Sequence, residues 1–168
     1  NRTKIVLFCS TWREPVLRIS RLTDYGTLVL ANLSQQGEQP TSATDVASTT
    51  GIAPPTVSKL LKLLAKAELA TSTRGAMGGY SLARPANRIS AAEIIDALEG
   101  PVHITECSAE DSHCDFESIC NVGSAWQRIN VAIRRTLSDI SLSDLQRTRA
   151  PVPRFEFAGF PVRVESGK

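Results

Sequence analysis

Residues 41–84, TSATDVASTTGIAPPTVSKLLKLLAKAELATSTRGAMGGYSLAR, decide the fold. Thr41–Thr50 reads as a short helix, with Ser42 or Thr44 as its N-cap and Gly51 just past its end. Ile52 and Ala53 leave room only for a tight connection. Pro54 and Pro55 then open a second helix, where a missing backbone N–H costs nothing. Val57, Leu60, Leu61 and Leu64 recur at i, i+3, i+4 and i+7, an inner stripe, while Thr56, Ser58, Lys59, Lys62 and Lys66 fall on the other side. Two short runs, Leu69–Arg74 and Tyr80–Arg84, follow, separated by Gly75, Ala76, Met77, Gly78 and Gly79, a composition suited to a hairpin tip. Helix, tight turn, helix and basic hairpin in that order predict a winged helix-turn-helix.

Working outward, Leu22, Tyr25, Val29 and Leu33 recur at helical spacing between Ser20 and Gln36, with Gly37 as a stop. Residues 1–16 carry no periodicity that continues into this helix and are expected to be an N-terminal extension outside the folded unit. Beyond the hairpin, Pro85–Arg88 make a break. Ser90 and Glu93 form a capping box that opens a helix with Ile94, Ile95 and Leu98 inward, ended by Gly100 and Pro101. Residues 102–121 read as a loop. From Val122 to about Leu142, the positions Val122, Trp126, Ile129, Ile133, Leu137 and Ile140 define a long amphipathic helix. Its apolar stripe exceeds what a small domain can cover, so it is expected to dimerise. The tail from Pro151 holds Phe155, Phe157 and Phe160 and is expected to be mobile. The expected fold is mainly α with a small β-hairpin wing: a winged helix-turn-helix (17–88), a linker helix and cysteine loop (89–121), a dimerisation helix (122–145) and a tail (146–168).

A chain of 168 residues with 42% hydrophobic and 21% charged residues can bury one core. No stretch approaches the roughly 18–20 apolar residues that span a bilayer, which predicts a cytoplasmic protein with no membrane partner. The net charge of +2 is a cancellation. Residues 18–89 carry +4, residues 90–120 carry −8 from eight acids with no Lys or Arg, and residues 121–149 carry +3. A basic front and an acidic middle predict two tasks in one chain.

The basic front suits DNA. A recognition helix needs short polar side chains near its N-terminus to reach base edges, which Thr56, Ser58 and Lys59 supply, and cations for phosphates, which Lys62 and Lys66 supply. Arg74 at the wing can enter the adjacent minor groove, where the negative potential favours a guanidinium. Tyr80 on the return strand completes the expected DNA-binding set. A solvated lysine face would explain the lysines alone, but not the lysines together with the ordered helices and the Gly-rich wing.

The acidic middle holds Cys107, Cys114 and Cys120 within fourteen residues. Their spacing is too long for the C-x2–4-C knuckle of structural zinc and wrong for a C-x-x-C dithiol. A loop wrapping an iron–sulfur cluster uses longer spacings and accepts a fourth ligand that is not cysteine. His103, His113, Asp24 and the loop acids are all candidates for that place. There is no Ser/His/Asp set, phosphate-binding loop or paired catalytic carboxylate, so no enzyme is expected.

Three segments together carry a resemblance: Leu17–Gly26 (LRISRLTDYG), Arg74–Arg84 (RGAMGGYSLAR) and the three-cysteine loop. They resemble the Rrf-two family of bacterial winged-helix regulators, the relatives of IscR and NsrR, and are most similar to the subgroup governing SUF iron–sulfur assembly. The resemblance covers about residues 17–145. It implies a homodimer that binds a double-stranded DNA operator with an affinity set by an iron–sulfur cluster, with the helix after the cysteines as the dimer seam. It assigns Cys107, Cys114 and Cys120 as cluster ligands and Arg74 as the wing arginine. Asp24 matches the position that supplies a fourth ligand from the partner subunit in the nitric-oxide-sensing branch. Two departures follow from the same comparison. Gly123 stands where the IscR branch has its ligand histidine, and Ser58 stands where that branch reads a base with glutamate. The expectation is therefore a regulator of SUF-type genes carrying a 2Fe–2S cluster. The alternatives are a nitric-oxide or redox sensor of the same fold with a 4Fe–4S cluster, and a metal or electron-transfer module that does not bind DNA.

Overall fold

A computed structural model describes residues 19–37, 39–75, 77–103, 105 and 122–147, together with the backbone at 156–157 and 160–161. The helices are α1 (Arg21–Gln35), α2 (Ala43–Thr50), α3 (Pro54–Lys66), α4 (Ala91–Glu99), α5 (Gly123–Asp139) and α6 (Leu142–Leu145). Strands β1 (Ala70–Thr73) and β2 (Gly79–Leu82) pair antiparallel, with Ala70 opposite Leu82 and Thr73 opposite Gly79. The fold is a winged helix-turn-helix, as residues 41–84 predict.

The core sits where α1, α2, α3 and α4 meet. Val57, Leu60, Leu61 and Leu64 of α3 are fully buried, and each such side chain stabilises the fold by about 1.5–3 kcal/mol relative to exposure. Val29, Leu30 and Leu33 of α1, Val46 of α2 and Ile94 of α4 complete it. In α1 the buried face also takes Thr23, Gly26 and Asn32, whereas Tyr25 is exposed. Gly26 lets α4 approach closely, because a Cβ there would run into Leu98.

Local signals set the element ends. Ser42 caps α2 by accepting from the Asp45 N–H at 3.1 Å, and Gly51 closes it in the left-handed region at φ 70°. The α4 capping box is complete, with the Ser90 hydroxyl accepting from Glu93 N–H and the Glu93 carboxylate accepting from Ser90 N–H at 2.8 Å.

One expectation needs correction. The long helix ends at Asp139 rather than near Leu142, because Ser141 starts a new capping box with Asp144 that opens α6. That break turns the chain onto the start of α4: Leu142 N–H donates to Ile89 O at 2.7 Å and Ala91 N–H to Ile140 O at 2.8 Å. Leu142 is consequently buried in the core rather than continuing an interface stripe. In the tail, Glu156–Phe157 and Phe160–Pro161 pair as two short antiparallel strands, β3 and β4. The expected N-terminal extension lies outside the described residues.

Along α5 the described side chains leave much of the predicted stripe uncovered. Val122, Trp126, Ile129 and Ile140 are exposed, and only Ile133 and Leu137 are half-buried. Asn130 is the buried residue of this helix. Among the described residues, no helix is long and apolar enough to cross a membrane.

Candidate nucleic-acid interface

Helix α3 begins with two prolines and no side-chain cap, directly after Ile52 and Ala53. Its buried stripe fixes its rotation, which puts Lys59, Lys62 and Lys66 on the exposed side and leaves Thr56 and Ser58 half-exposed at its N-terminal end. The last turn carries Lys66, whose charge complements the helix dipole. Among the expected DNA contacts, Thr56, Ser58, Lys59 and Lys62 thus share one helix, and Arg74 is exposed where the wing leaves β1.

Tyr80 takes a different part. It is half-buried and packs against the core, and its backbone ties the wing to the residue before the α2 cap. Thr41 N–H donates to Tyr80 O at 2.9 Å, and Tyr80 N–H donates to Thr41 O at 2.8 Å. Gly79 makes this approach feasible, since a Cβ on it would lie 2.6 Å from Thr41 O. Tyr80 thus anchors the wing to the body of the domain through its backbone, with its side chain half-buried. Nothing in the sequence marks Thr41 as its partner.

Arg84, at the far end of the wing, is also engaged. Its Nη2 lies 2.5 Å from Glu93 Oε1. Burial pushes the Glu93 carboxyl up, but hydrogen bonds from the Ser90 N–H and hydroxyl and the Arg84 charge outweigh this and hold it below the usual glutamate range. Glu93 is one of three acids spaced three residues apart on α4, and each holds a different element. Asp96 takes a two-pronged contact from Arg134 of α5, at 3.1 and 2.6 Å. Glu99 accepts from Ser20 N–H at 3.0 Å and from the Thr23 hydroxyl, the start of α1. The Thr23 hydroxyl is the main reason the Glu99 carboxyl is lowered, with Ser20 assisting against a burial effect of opposite sign. The sequence counts these three among the eight acids of its middle segment. In the fold they belong to a helix and serve as clamps, not to the cysteine loop.

Cys107, Cys114, Cys120 and His113 lie outside the described residues. Among the described residues, no three His, Cys, Asp or Glu side chains come together as a metal site. Asp24 is exposed in the first turn of α1, beside a groove of about 320 Å³ lined by Ile19, Ile94, Ile95, Leu137 and Ile140. Through Ser20 and Thr23, that turn is bonded to Glu99, the last residue of α4 and the entry to the cysteine segment.

Comparison with known proteins fits this architecture. Residues 19–148 match the Rrf2 family, described as iron-dependent transcriptional regulators. The chain is 34% identical over 139 residues to the protein rrf2 of Nitratidesulfovibrio vulgaris, covering 82% of this chain and 93% of that protein. Among solved structures it is similar to CymR, the global cysteine regulator of B. subtilis, with 31% identity and a TM-score of 0.61 over 80% of this chain and 99% of that one. It is also similar to IscR of T. potens, with 34% identity and a TM-score of 0.57 over 77% of this chain and 85% of that one. With a family match spanning the winged helix-turn-helix, α4 and α5, the chain belongs to the Rrf2 family of iron-dependent, helix-turn-helix transcriptional regulators.

Proposed function

We propose that this regulator is a cytoplasmic homodimer that binds an operator through α3 and the wing, carries an iron–sulfur cluster on Cys107, Cys114 and Cys120, and controls SUF-type iron–sulfur assembly genes. One observation carries the reading: α4 holds the wing through Glu93 and Arg84, and the three-cysteine segment follows within eight residues of its end. A change in that segment therefore acts on the helix that positions the DNA-reading hairpin. The donor chemistry fits an iron–sulfur group, with three soft thiols in fourteen residues and an exposed carboxylate, Asp24, in a turn bonded to the segment's entry. When bound, such a cluster supplies a charge and a redox state that respond to oxygen and iron supply.

The uncovered stripe of α5 supports the dimer. Val122, Trp126 and Ile129 lie one helical turn apart or close to it, and a second copy of the helix offers the same face in return. Within DNA recognition, Thr56, Ser58 and Lys59 read bases while Lys62 and Arg74 hold phosphate and minor groove.

A nitric-oxide- or redox-sensing regulator with a 4Fe–4S cluster is the second reading, and it is supported by the resemblance, in which Asp24 matches the position of that branch's fourth ligand from the partner subunit. Protein purified without oxygen tests both. A brown sample absorbing above about 400 nm, colourless after Cys107→Ala, Cys114→Ala or Cys120→Ala, supports a cluster, and a colourless zinc protein refutes it. Mössbauer spectra separate 2Fe–2S from 4Fe–4S.

A further inference from the structure

The most exposed large apolar side chain described is that of Met77, the single methionine of the chain, 90% exposed at the tip of the wing. Isolated exposed apolar residues are common, and exposure alone says little. The setting of Met77 is what gives it meaning. Described glycines stand on either side of it. Gly75 adopts φ 119°, Gly78 N–H donates to Gly75 O at 2.9 Å, and a Cβ on Gly78 would strike the backbone of Thr73 and Arg74. Behind the tip, the two hydrogen bonds between Thr41 and Tyr80 fix the hairpin to the body of the domain. A long, unbranched thioether thus stands in water next to Gly78, three residues from the exposed Arg74. No described side chain covers it.

We propose that Met77 is a minor-groove wedge. With Arg74 drawn to the groove by its negative potential, the side chain of Met77 enters between two base pairs, partly unstacks them and kinks the duplex away from the wing. The wedge gives a rigid hairpin a way to read sequence without hydrogen bonds. Pyrimidine–purine steps unstack most easily, so the chain favours such a step at a fixed distance from the bases read by α3. Arg74 and Met77 then divide the work: the guanidinium adds affinity on any sequence, and the thioether adds discrimination. The inference rests on the DNA-binding reading above and goes beyond it in naming what the wing recognises.

The test uses the full chain and a pool of duplexes randomised over about 30 base pairs, taken through parallel selections with wild type, Met77→Ala, Met77→Leu and Arg74→Ala. Wild type is expected to enrich a TA or CA step at a constant offset from its major-groove half-site and to bend a selected duplex in a two-dye energy-transfer assay. Met77→Ala should lose that enrichment, bend the duplex less and bind it about tenfold more weakly, with non-specific binding unchanged. Met77→Leu, which keeps an apolar wedge, should retain the step preference. Arg74→Ala should weaken binding to all duplexes alike. Equal step enrichment and equal bending by wild type and Met77→Ala overturn the wedge while leaving DNA binding intact. If wild type selects no sequence at all, the DNA-binding reading and the wedge fall together.

Discussion

Replacing Gly79 by Ala tests how the wing is held. Gly79 has an ordinary backbone conformation, so the cost is steric, not conformational. The added Cβ would find the O, C and N atoms of Thr41 at 2.6, 2.7 and 2.9 Å, where ordinary contact begins at 3.4 Å. All three are backbone atoms and cannot swing aside. The two chains must separate by roughly 0.5–0.8 Å, which stretches both Thr41–Tyr80 hydrogen bonds beyond useful length. Losing two such bonds at about 1 kcal/mol each, with some residual crowding, destabilises wing docking by about 2–3 kcal/mol. The docked fraction relative to the open hairpin then falls about 30- to 150-fold. Amide hydrogen exchange reads this directly. Protection at Thr41 and Tyr80 should drop by that factor while Leu60 and Leu61 in α3 keep theirs, and DNA affinity should fall with the wing. Unchanged protection at Tyr80 would refute the anchoring argument. An equal loss at Leu60 would show that the wing has no separate docking equilibrium.

Other consequences follow from the clamps and the core. Asp96→Asn weakens a two-pronged but half-exposed ion pair, so urea unfolding should show a loss of about 1 kcal/mol, and the effect should not add to that of Arg134→Gln. Leu61→Ala removes a fully buried side chain from the α3 stripe and should cost about 2–5 kcal/mol, enough to lower the melting temperature by several degrees. Glu99 has its carboxyl lowered in the folded state, so its stabilising effect is complete above the unfolded glutamate value, about 4.3, and is lost as pH falls through the lowered value. The gap in melting temperature between wild type and Glu99→Gln should therefore be present at pH 7 and narrow progressively as pH falls below the unfolded glutamate value.

The DNA-reading half was legible because its signals are local. The stripe of Val57, Leu60, Leu61 and Leu64, the Ser42 cap, Gly51 and the Ser90–Glu93 box each depend on residues within one or two turns. The end of the long helix is less legible. Ile140 and Leu142 continue an apolar run, so periodicity carried the helix past Ser141, although Ser141 and Asp144 form a capping box that a local reading can find. The clamps were not legible. Asp96 and Arg134 are 38 positions apart, and Glu99 and Ser20 are 79 apart. No spacing rule links pairs so distant. Tyr80 showed the same limit, since its anchoring partner Thr41 is identified only once the wing folds back. The −8 charge of the middle segment was correctly located but not correctly divided, because charge counting does not distinguish a carboxylate that clamps a helix from one that surrounds thiols.

In the proposed function, the state of the cysteine segment sets the affinity for DNA. One anaerobic titration tests it: a labelled duplex selected by the full chain, measured with cluster-loaded protein and again after the cluster is removed by chelation. The two affinities should differ by about tenfold or more, within the usual range of coupling between sites, and Cys114→Ala should bind with one affinity under both treatments. Equal affinities for the loaded and stripped wild-type protein would contradict it.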